Sequence, residues 1–113
     1  MTFQELELVA KILRKNPKVL VMSDEIYENL IEKDQTHYSF SAVAPDLIDR
    51  VFTVNGFAKG WAMTGWRIGY LSGHTKVIKA AAALQSQSTS NVCSFVQRGA
   101  IAALNGGKES VLA

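Results

Sequence analysis

The stretch Asn55–Tyr70, NGFAKGWAMTGWRIGY, governs the interpretation of this 113-residue chain. One lysine, Lys59, lies there among glycines and apolar side chains, and one arginine, Arg67, follows eight residues later. An ammonium group with little water around it is poorly stabilised, so we expect the neutral, nucleophilic form of Lys59 to be accessible near neutral pH. An amine in that state can form a Schiff base with a carbonyl compound.

The fourteen residues 56–69, GFAKGWAMTGWRIG, resemble the pyridoxal-phosphate attachment signature of class I aminotransferases. The resemblance implies that Lys59 is catalytic. It would hold pyridoxal 5'-phosphate as a Schiff base and, once released, move the proton of the substrate α-carbon. Arg67 is implied to bind the cofactor phosphate, for which a planar guanidinium is suited. Many relatives carry a hydroxyl residue at the positions of Gly56 or Ala58, and we interpret the small residues here as a subfamily character.

A second motif, Ser23-Asp-Glu-Ile-Tyr27, completes the resemblance. In the aminotransferase family, the corresponding aspartate faces the pyridine nitrogen of the cofactor and the tyrosine faces its phenolic oxygen, which implies cofactor-binding roles for Asp24 and Tyr27. A carboxylate at that nitrogen keeps it protonated, and a protonated ring accepts the electron pair released at the α-carbon. The residues alone also allow a simpler interpretation, in which Asp24 caps a helical turn and Tyr27 is a half-buried aromatic side chain.

Hydrophobic periodicity predicts the first elements of the chain. Residues 3–15 have the spacing of an amphipathic helix after a capping box formed by Thr2 and Glu5, and Pro17 ends it. The apolar run 19–22 predicts a strand covered on both faces, and 51–54 predicts a second strand. A helical turn opens at Pro45, and the long connection permits the two strands to be parallel.

The second half predicts one more strand and several helices. A third strand begins near Arg67, and its short connection to the second strand favours an antiparallel pairing. Helices follow over 77–84 and 92–103, separated by a polar break at 86–91, and another helix begins at 108–113. Cys93 is expected on the apolar face of the second of these helices.

These elements predict an α/β fold with a mixed sheet and flanking helices, and the resemblance implies a sheet that is mostly parallel. In such sheets, ligands bind beyond the carboxyl ends of the strands, where Asp24 and Lys59 both fall. The resemblance implies part of the large domain of a fold-type-I pyridoxal-phosphate enzyme, so that residues 1–113 form a single partial domain truncated at both ends. It also implies that the arginine for the substrate α-carboxylate lies outside these residues. We therefore expect the chain alone to be a poor catalyst or none.

Composition excludes several classes of function. The net charge of +2 arises from 12 basic and 10 acidic residues spread along the chain, which argues against nucleic-acid binding. No apolar run approaches the ~20 residues of a membrane span, and the amino terminus lacks a signal-peptide pattern, so a cytoplasmic location is expected. The single Cys93 excludes an internal disulfide, and its distance from His37 and His74 in the sequence predicts no metal site.

The resemblance implies an aminotransferase that exchanges an amino group between an amino acid, aspartate, and a 2-oxo acid, 2-oxoglutarate, and that acts as a dimer. An open sheet edge also favours association between copies of the chain. Two alternatives remain. One is another fold-type-I pyridoxal-phosphate enzyme, such as an aromatic or alanine aminotransferase or a β-lyase. The other is a truncated module without catalytic activity.

Overall fold

The computed structural model describes residues 1–106 and Val111 of the chain. Helix α1 (Phe3–Lys15) begins at a capping box. Thr2 Oγ1 accepts a hydrogen bond from the Glu5 backbone N–H, and the Glu5 carboxylate accepts one from the Thr2 N–H. These bonds satisfy backbone donors that the start of a helix leaves without an intrahelical partner. The predicted helix and its capping box are confirmed.

Among the described residues, three strands form one sheet: β1 (Val21–Asp24), β2 (Val51–Gly56) and β3 (Gly69–Ser72), with β2 in the middle. Strand β1 runs parallel to β2, and β3 runs antiparallel to it. Both predicted directions are confirmed, as is the mixed sheet. Since one pairing is of each kind, parallel pairing does not predominate among the described residues, in contrast to the expectation of a mostly parallel sheet.

Helices connect and flank these strands. Between β1 and β2 lie helix α2 (Phe40–Val43) and a 3-10 helix (Pro45–Arg50), which confirms the helical turn predicted at Pro45. Proline is well placed at a helix start, because the N–H that it lacks would have no intrahelical partner there. After β3 come helices α3 (Thr75–Ser88) and α4 (Ser94–Gly106).

The main core lies where α1 packs against α2 and the start of β2. At its centre, Val51 is 1% exposed. Burying a large aliphatic side chain contributes roughly 1.5–3 kcal/mol each, so this cluster is the main source of stability on this side of the sheet. Its members are all buried and apolar: Leu6, Ala10, Leu13, Phe40, Val43, Ala44, Leu47 and Val51.

The expectation of a first strand covered on both faces is wrong. Strand β1 begins at Val21, two residues later than predicted, and Met22 within it is 75% exposed. Strand β1 is an edge strand of the sheet, and α1 covers only one of its faces. An uninterrupted apolar run therefore indicates a strand here without indicating how much of it is covered.

Two predictions about α3 and α4 are also corrected. Helix α3 continues to Ser88, through part of the predicted polar break, and the Ser88 hydroxyl donates to the Leu84 carbonyl of the preceding turn. Cys93 is exposed and precedes α4, so it does not lie on an apolar helix face. Helix α4 buries Val96 and Ala100 and leaves Phe95 exposed.

The helix predicted at 108–113 lies outside the described residues, Val111 apart. Within the described part of the chain, no helix combines the length and the apolar character that crossing a membrane requires.

Candidate active site

The topology of the sheet brings three predicted site residues to one edge. Asp24 is the last residue of β1, Lys59 follows the end of β2 by three residues, and Arg67 precedes β3 by two. The carboxyl ends of parallel β1 and β2 lie at the same edge as the amino end of antiparallel β3, as the pairing of Gly56 with Gly69 shows. A carboxylate, an amine and a guanidinium therefore share one rim of the sheet.

A buried aromatic ring holds the turn that carries Lys59. Phe57 is 4% exposed, and its ring centroid lies 5.2 Å from that of Trp61 and 6.3 Å from that of Tyr70. The Phe57 carbonyl accepts hydrogen bonds from the backbone N–H groups of Trp61 and Met63, each at 3.3 Å. Packing of the Phe57 ring and the hydrogen bonds to the Phe57 carbonyl thus fix the conformation of this turn.

Lys59 reaches across to the turn that follows β1. Its Nζ atom lies 5.7 Å from the centroid of the Tyr27 ring, within the range of a cation–π contact. Both side chains are exposed. The expectation that Lys59 is surrounded by little water is therefore wrong for this chain, because small neighbours such as Gly60 and Ala62 do not cover a side chain at the rim of a sheet.

The backbone of the loop between β2 and β3 is strained at two residues. Arg67 has φ 51° and ψ 49°, and Ala62 has φ 52°, so both occupy the left-handed region without being glycine. Each such residue costs about 1–3 kcal/mol, and strain of this kind clusters at functional sites. The exposed Arg67 side chain is tied locally, since its Nη1 donates to the Thr64 carbonyl at 3.1 Å.

Asp24 is exposed and has one local partner. Its Oδ1 accepts a hydrogen bond from the Ile26 backbone N–H at 3.2 Å, which supports the turn after β1. This bond fits the capping interpretation of Asp24 and engages only one of its two oxygens. In the described part of the chain, Asp24, Lys59 and Arg67 take part in no salt bridge with one another or with other residues.

Sequence reasoning missed Glu25, the residue next to Asp24. Its side chain is 6% exposed and accepts hydrogen bonds from Ser23, Ser39 and the Phe40 backbone N–H. Successive side chains of a strand point to opposite faces of the sheet. Since the Asp24 side chain is exposed, the Glu25 side chain after it is expected to point to the inner face. That alternation is the signal that could have identified a buried carboxylate here.

Besides partial burial, the carboxylates of Glu28 and Glu25 affect the pKa of Tyr70. Partial burial raises the pKa of the Tyr70 phenol, and the negative charges of Glu28 and Glu25 raise it further. The ligand atoms of Glu25, Glu28 and His37 lie within 4.8 Å of one another. We interpret the contact between Glu25 and His37 as part of a hydrogen-bond network, because the Glu25 carboxylate already has protein donors.

A cleft of about 580 Å³ lies elsewhere, between the start of α1 and residues 31–38. None of Asp24, Lys59 and Arg67 lines it. The residues that share the rim of the sheet therefore form an open surface in this chain and not the wall of that cleft.

The sequence profile of the class I and II aminotransferases matches residues 1–111. The chain belongs to this family. An aminotransferase of this family depends on pyridoxal phosphate.

Three relatives define how much of an aminotransferase the chain represents. It is 53% identical over 109 residues to a Rickettsia felis protein named "Probable aspartate/prephenate aminotransferase", covering 96% of this chain and 27% of that protein. It is 50% identical over 99 residues to the aspartate aminotransferase of Pinus pinaster, covering 88% of this chain and 20% of that protein. The crystal structure of the Rhizobium meliloti aspartate aminotransferase superposes with a TM-score of 0.95 at 35% identity, covering 99% of this chain and 28% of the other. The chain thus spans about a quarter of the length of these relatives.

The groups at the rim fit pyridoxal phosphate by their chemistry. Arg67 offers a planar donor set for a phosphate, Asp24 offers a carboxylate for a protonated ring nitrogen, and Lys59 offers a primary amine for an aldehyde. All three are exposed at the same edge of the sheet. Tyr27, beside the Lys59 amine, adds an exposed phenol.

Proposed function

We propose that this chain carries the cofactor-attachment segment of a pyridoxal-phosphate-dependent aminotransferase, as part of the large domain of a fold-type-I enzyme. One observation carries the proposal: in a member of the aminotransferase family, Asp24, Lys59 and Arg67 lie at one edge of the sheet. The proposed substrates are an amino acid and a 2-oxo acid, with aspartate and 2-oxoglutarate as the first pair to test.

When bound, pyridoxal phosphate supplies an electron sink for the pair of electrons left at the α-carbon of an amino acid that loses its proton. The residues of this chain would have distinct tasks around it. Arg67 would bind the phosphate through two parallel hydrogen bonds, and Asp24 would hold a proton at the ring nitrogen. Tyr27 would donate a hydrogen bond to the phenolic oxygen.

Lys59 has two tasks in this proposal. Its Nζ would attach the cofactor covalently, and after release the same atom would take the α-proton from the substrate and return it. An exposed amine is suited to accept and release a ligand. Efficient proton transfer also needs water to be excluded, which an open rim does not provide.

In this proposal, the complete reaction requires residues beyond those of this chain. The chain spans about a quarter of its relatives, and among its described residues no further arginine lies in the loops at the rim to bind a substrate α-carboxylate. Correct placement of a substrate contributes several kcal/mol to catalysis. We therefore expect the purified 113 residues to show little or no transamination, and we propose that the intact enzyme is a homodimer.

Site-selective labelling tests the proposal without requiring turnover. The purified chain would be incubated with pyridoxal phosphate, reduced with borohydride and mapped by peptide mass spectrometry. Modification should concentrate on Lys59 at low cofactor concentration, with the exposed Lys76 as an internal reference on α3. The substitutions Arg67→Ala and Asp24→Asn should reduce the label on Lys59 and leave that on Lys76 unchanged. A label spread evenly over the surface lysines would overturn the proposal.

A further inference from the structure

The buried carboxylate of Glu25 ties together two segments that are distant in the sequence. Its Oε1 accepts hydrogen bonds from Ser23 Oγ at 2.9 Å, Ser39 Oγ at 3.0 Å and the Phe40 backbone N–H at 3.2 Å. Its Oε2 lies 3.4 Å from His37 Nε2. One side chain therefore connects the end of β1 to the residues that lead into α2.

This network explains how a carboxylate can be buried at this position. An ionised group without partners in the protein interior costs several kcal/mol, and hydrogen bonds from neutral donors offset that cost. The Phe40 backbone N–H lies at the first residue of α2, where it has no intrahelical acceptor. Removing the carboxylate would take this acceptor away from Ser23 and the Phe40 N–H, whereas Ser39 would keep its contact with Ser41 Oγ. The position of the turn therefore depends on Glu25.

The same residue lies within the turn that bears two of the proposed cofactor ligands. Glu25 directly follows Asp24 and precedes Tyr27 by two residues. Its backbone N–H donates to the Val54 carbonyl at 2.8 Å, and its carbonyl accepts from the Glu28 N–H at 2.9 Å. The turn is thus held to β2 through the backbone of Glu25 and to residues 37–40 through its side chain.

We infer that Glu25 is a positioning residue for the cofactor site, which holds the turn so that Asp24 and Tyr27 face the ligand bound at Lys59. This inference rests on the proposed function. The Glu25 side chain is buried and bonded to Ser23, Ser39 and the Phe40 N–H, so this inference assigns it no direct contact with the ligand. Its effect on binding passes through the backbone of the turn, and Ser39 and Phe40 are its anchors on the other side.

Three variants of the 113-residue chain test this role. Glu25→Ala removes the acceptor, whereas Glu25→Gln keeps an oxygen that can accept from Ser39 and the Phe40 N–H. Glu28→Gln is the matched control. It removes a carboxylate that lies within 4.8 Å of Glu25 and His37 but that, among the described residues, forms no hydrogen bond or ion pair with them or with other residues.

Two measurements apply to each variant: the pyridoxal phosphate concentration that half-saturates the borohydride label on Lys59, and the circular dichroism of the cofactor band per mole of labelled Lys59. Glu25→Ala should raise the half-saturating concentration on the order of ten-fold, as expected for a displaced supporting residue, and should lose most of the dichroism. Glu25→Gln should restore most of both, and Glu28→Gln should match the original chain. The dichroism of the cofactor band reports the orientation of the ring at Lys59. Far-ultraviolet circular dichroism reports separately whether each variant is folded.

The outcomes separate this inference from the proposed function. If the unmodified chain shows no preference for Lys59, the proposed function fails. If that preference exists but Glu25→Ala binds like Glu28→Gln and keeps its dichroism, the positioning role alone is overturned. If far-ultraviolet circular dichroism shows that Glu25→Ala is unfolded, the variant Ser39→Ala tests the positioning role instead, because it removes one donor to Glu25 and keeps the carboxylate. A Ser39→Ala chain with unchanged half-saturation and dichroism contradicts the role.

Discussion

The amine of Lys59 lies 5.7 Å from the centre of the Tyr27 ring, and this contact joins the turn after β1 to the turn after β2. Directly beside it, a β-carbon added to Gly60 would lie 2.8 Å from Asn29 Nδ2. The two turns thus approach so closely that a β-carbon at position 60 would make a tight contact with the Asn29 side chain. Since an exposed cation–π contact contributes only ~0.5–1 kcal/mol, we expect the packing of Gly60 against Asn29 to influence the distance between Lys59 and Tyr27 more than their mutual attraction does.

The substitution Gly60→Ala should disturb this approach. The added methyl group would also lie 3.1 Å from the Asn29 β-carbon, which is fixed to the backbone, so one of the two turns would have to shift by a few tenths of an ångström. We expect cofactor binding at Lys59, measured as half-saturation of the borohydride label, to weaken on the order of ten-fold.

Gly65→Ala is the matched control in the same loop, because a β-carbon there meets nothing within 4 Å. It should leave the labelling of Lys59 unchanged. Equal effects of both alanine substitutions would show that the approach of the two turns is not what places Lys59.

Gly99 on α4 offers a second test, aimed at Arg67. A β-carbon at Gly99 would lie 2.5 Å from Cζ3 of Trp66, the residue before Arg67. The Trp66 ring must move in a Gly99→Ala chain, and the strained backbone of Arg67 would move with it. Binding of the cofactor phosphate should weaken several-fold, because a shift of Arg67 would lengthen or misalign its hydrogen bonds to the phosphate.

This effect can be assigned to the phosphate by comparing pyridoxal phosphate with pyridoxal, which lacks it. Gly99→Ala should weaken labelling of Lys59 by pyridoxal phosphate and leave labelling by pyridoxal unchanged. Gly106→Ala, at the end of the same helix and with open space around its β-carbon, serves as the control. A loss of equal size with both compounds would contradict a role for Trp66 in placing Arg67.

The arrangement of the rim could be predicted from the sequence because it depends on connection lengths. A long connection allowed β1 and β2 to be parallel, and a short one favoured an antiparallel β3. Those two directions suffice to bring Asp24, Lys59 and Arg67 to one edge. The roles of these residues stay predictions, since neither topology nor family membership measures binding.

Exposure could not be predicted, because it depends on what lies against a residue and not on the residue itself. Phe95 and Met22 have apolar side chains in the expected elements, but they are 68% and 75% exposed. Lys59 is exposed for the same reason. The Glu25 network was missed because it joins residues 12 to 15 positions apart through a loop, and no periodicity reports such a contact.

The core under α1 gives a prediction about stability. Leu13 is 8% exposed within the main core, whereas Leu8 on the same helix is 59% exposed. Leu13→Ala removes buried methyl groups and leaves a cavity, so the free energy of unfolding should fall by about 2–5 kcal/mol. Leu8→Ala should change it by less than ~0.5 kcal/mol. Urea denaturation followed by far-ultraviolet circular dichroism measures both values, and similar losses in the two variants would contradict the core described here.

The last prediction concerns the ion pair between Arg14 on α1 and Asp46 in the 3-10 helix. Arg14 Nε and Nη2 each donate to a different Asp46 oxygen at 2.8 Å. The hydrogen bonds from Arg14 lower the pKa of the Asp46 carboxyl below its ordinary value of 3.8. A lowered folded-state pKa means that the pair's contribution to stability is fully present above 3.8 and is lost as the pH falls through the lower, folded-state value.

Asp46→Asn should therefore lower the urea midpoint at neutral pH, and its difference from the original chain should shrink as the pH falls below about 3.8, because protonated Asp46 has also lost its charge. Glu5, whose pKa is lowered by its bonds to Thr2, titrates in both chains and cancels in the comparison. Asp49→Asn in the same 3-10 helix is the control, since in the described part of the chain Asp49 has no ion pair. A difference between Asp46→Asn and the original chain that stays constant down to the lowest pH would show that the pair's charge does not stabilise the contact between α1 and the 3-10 helix.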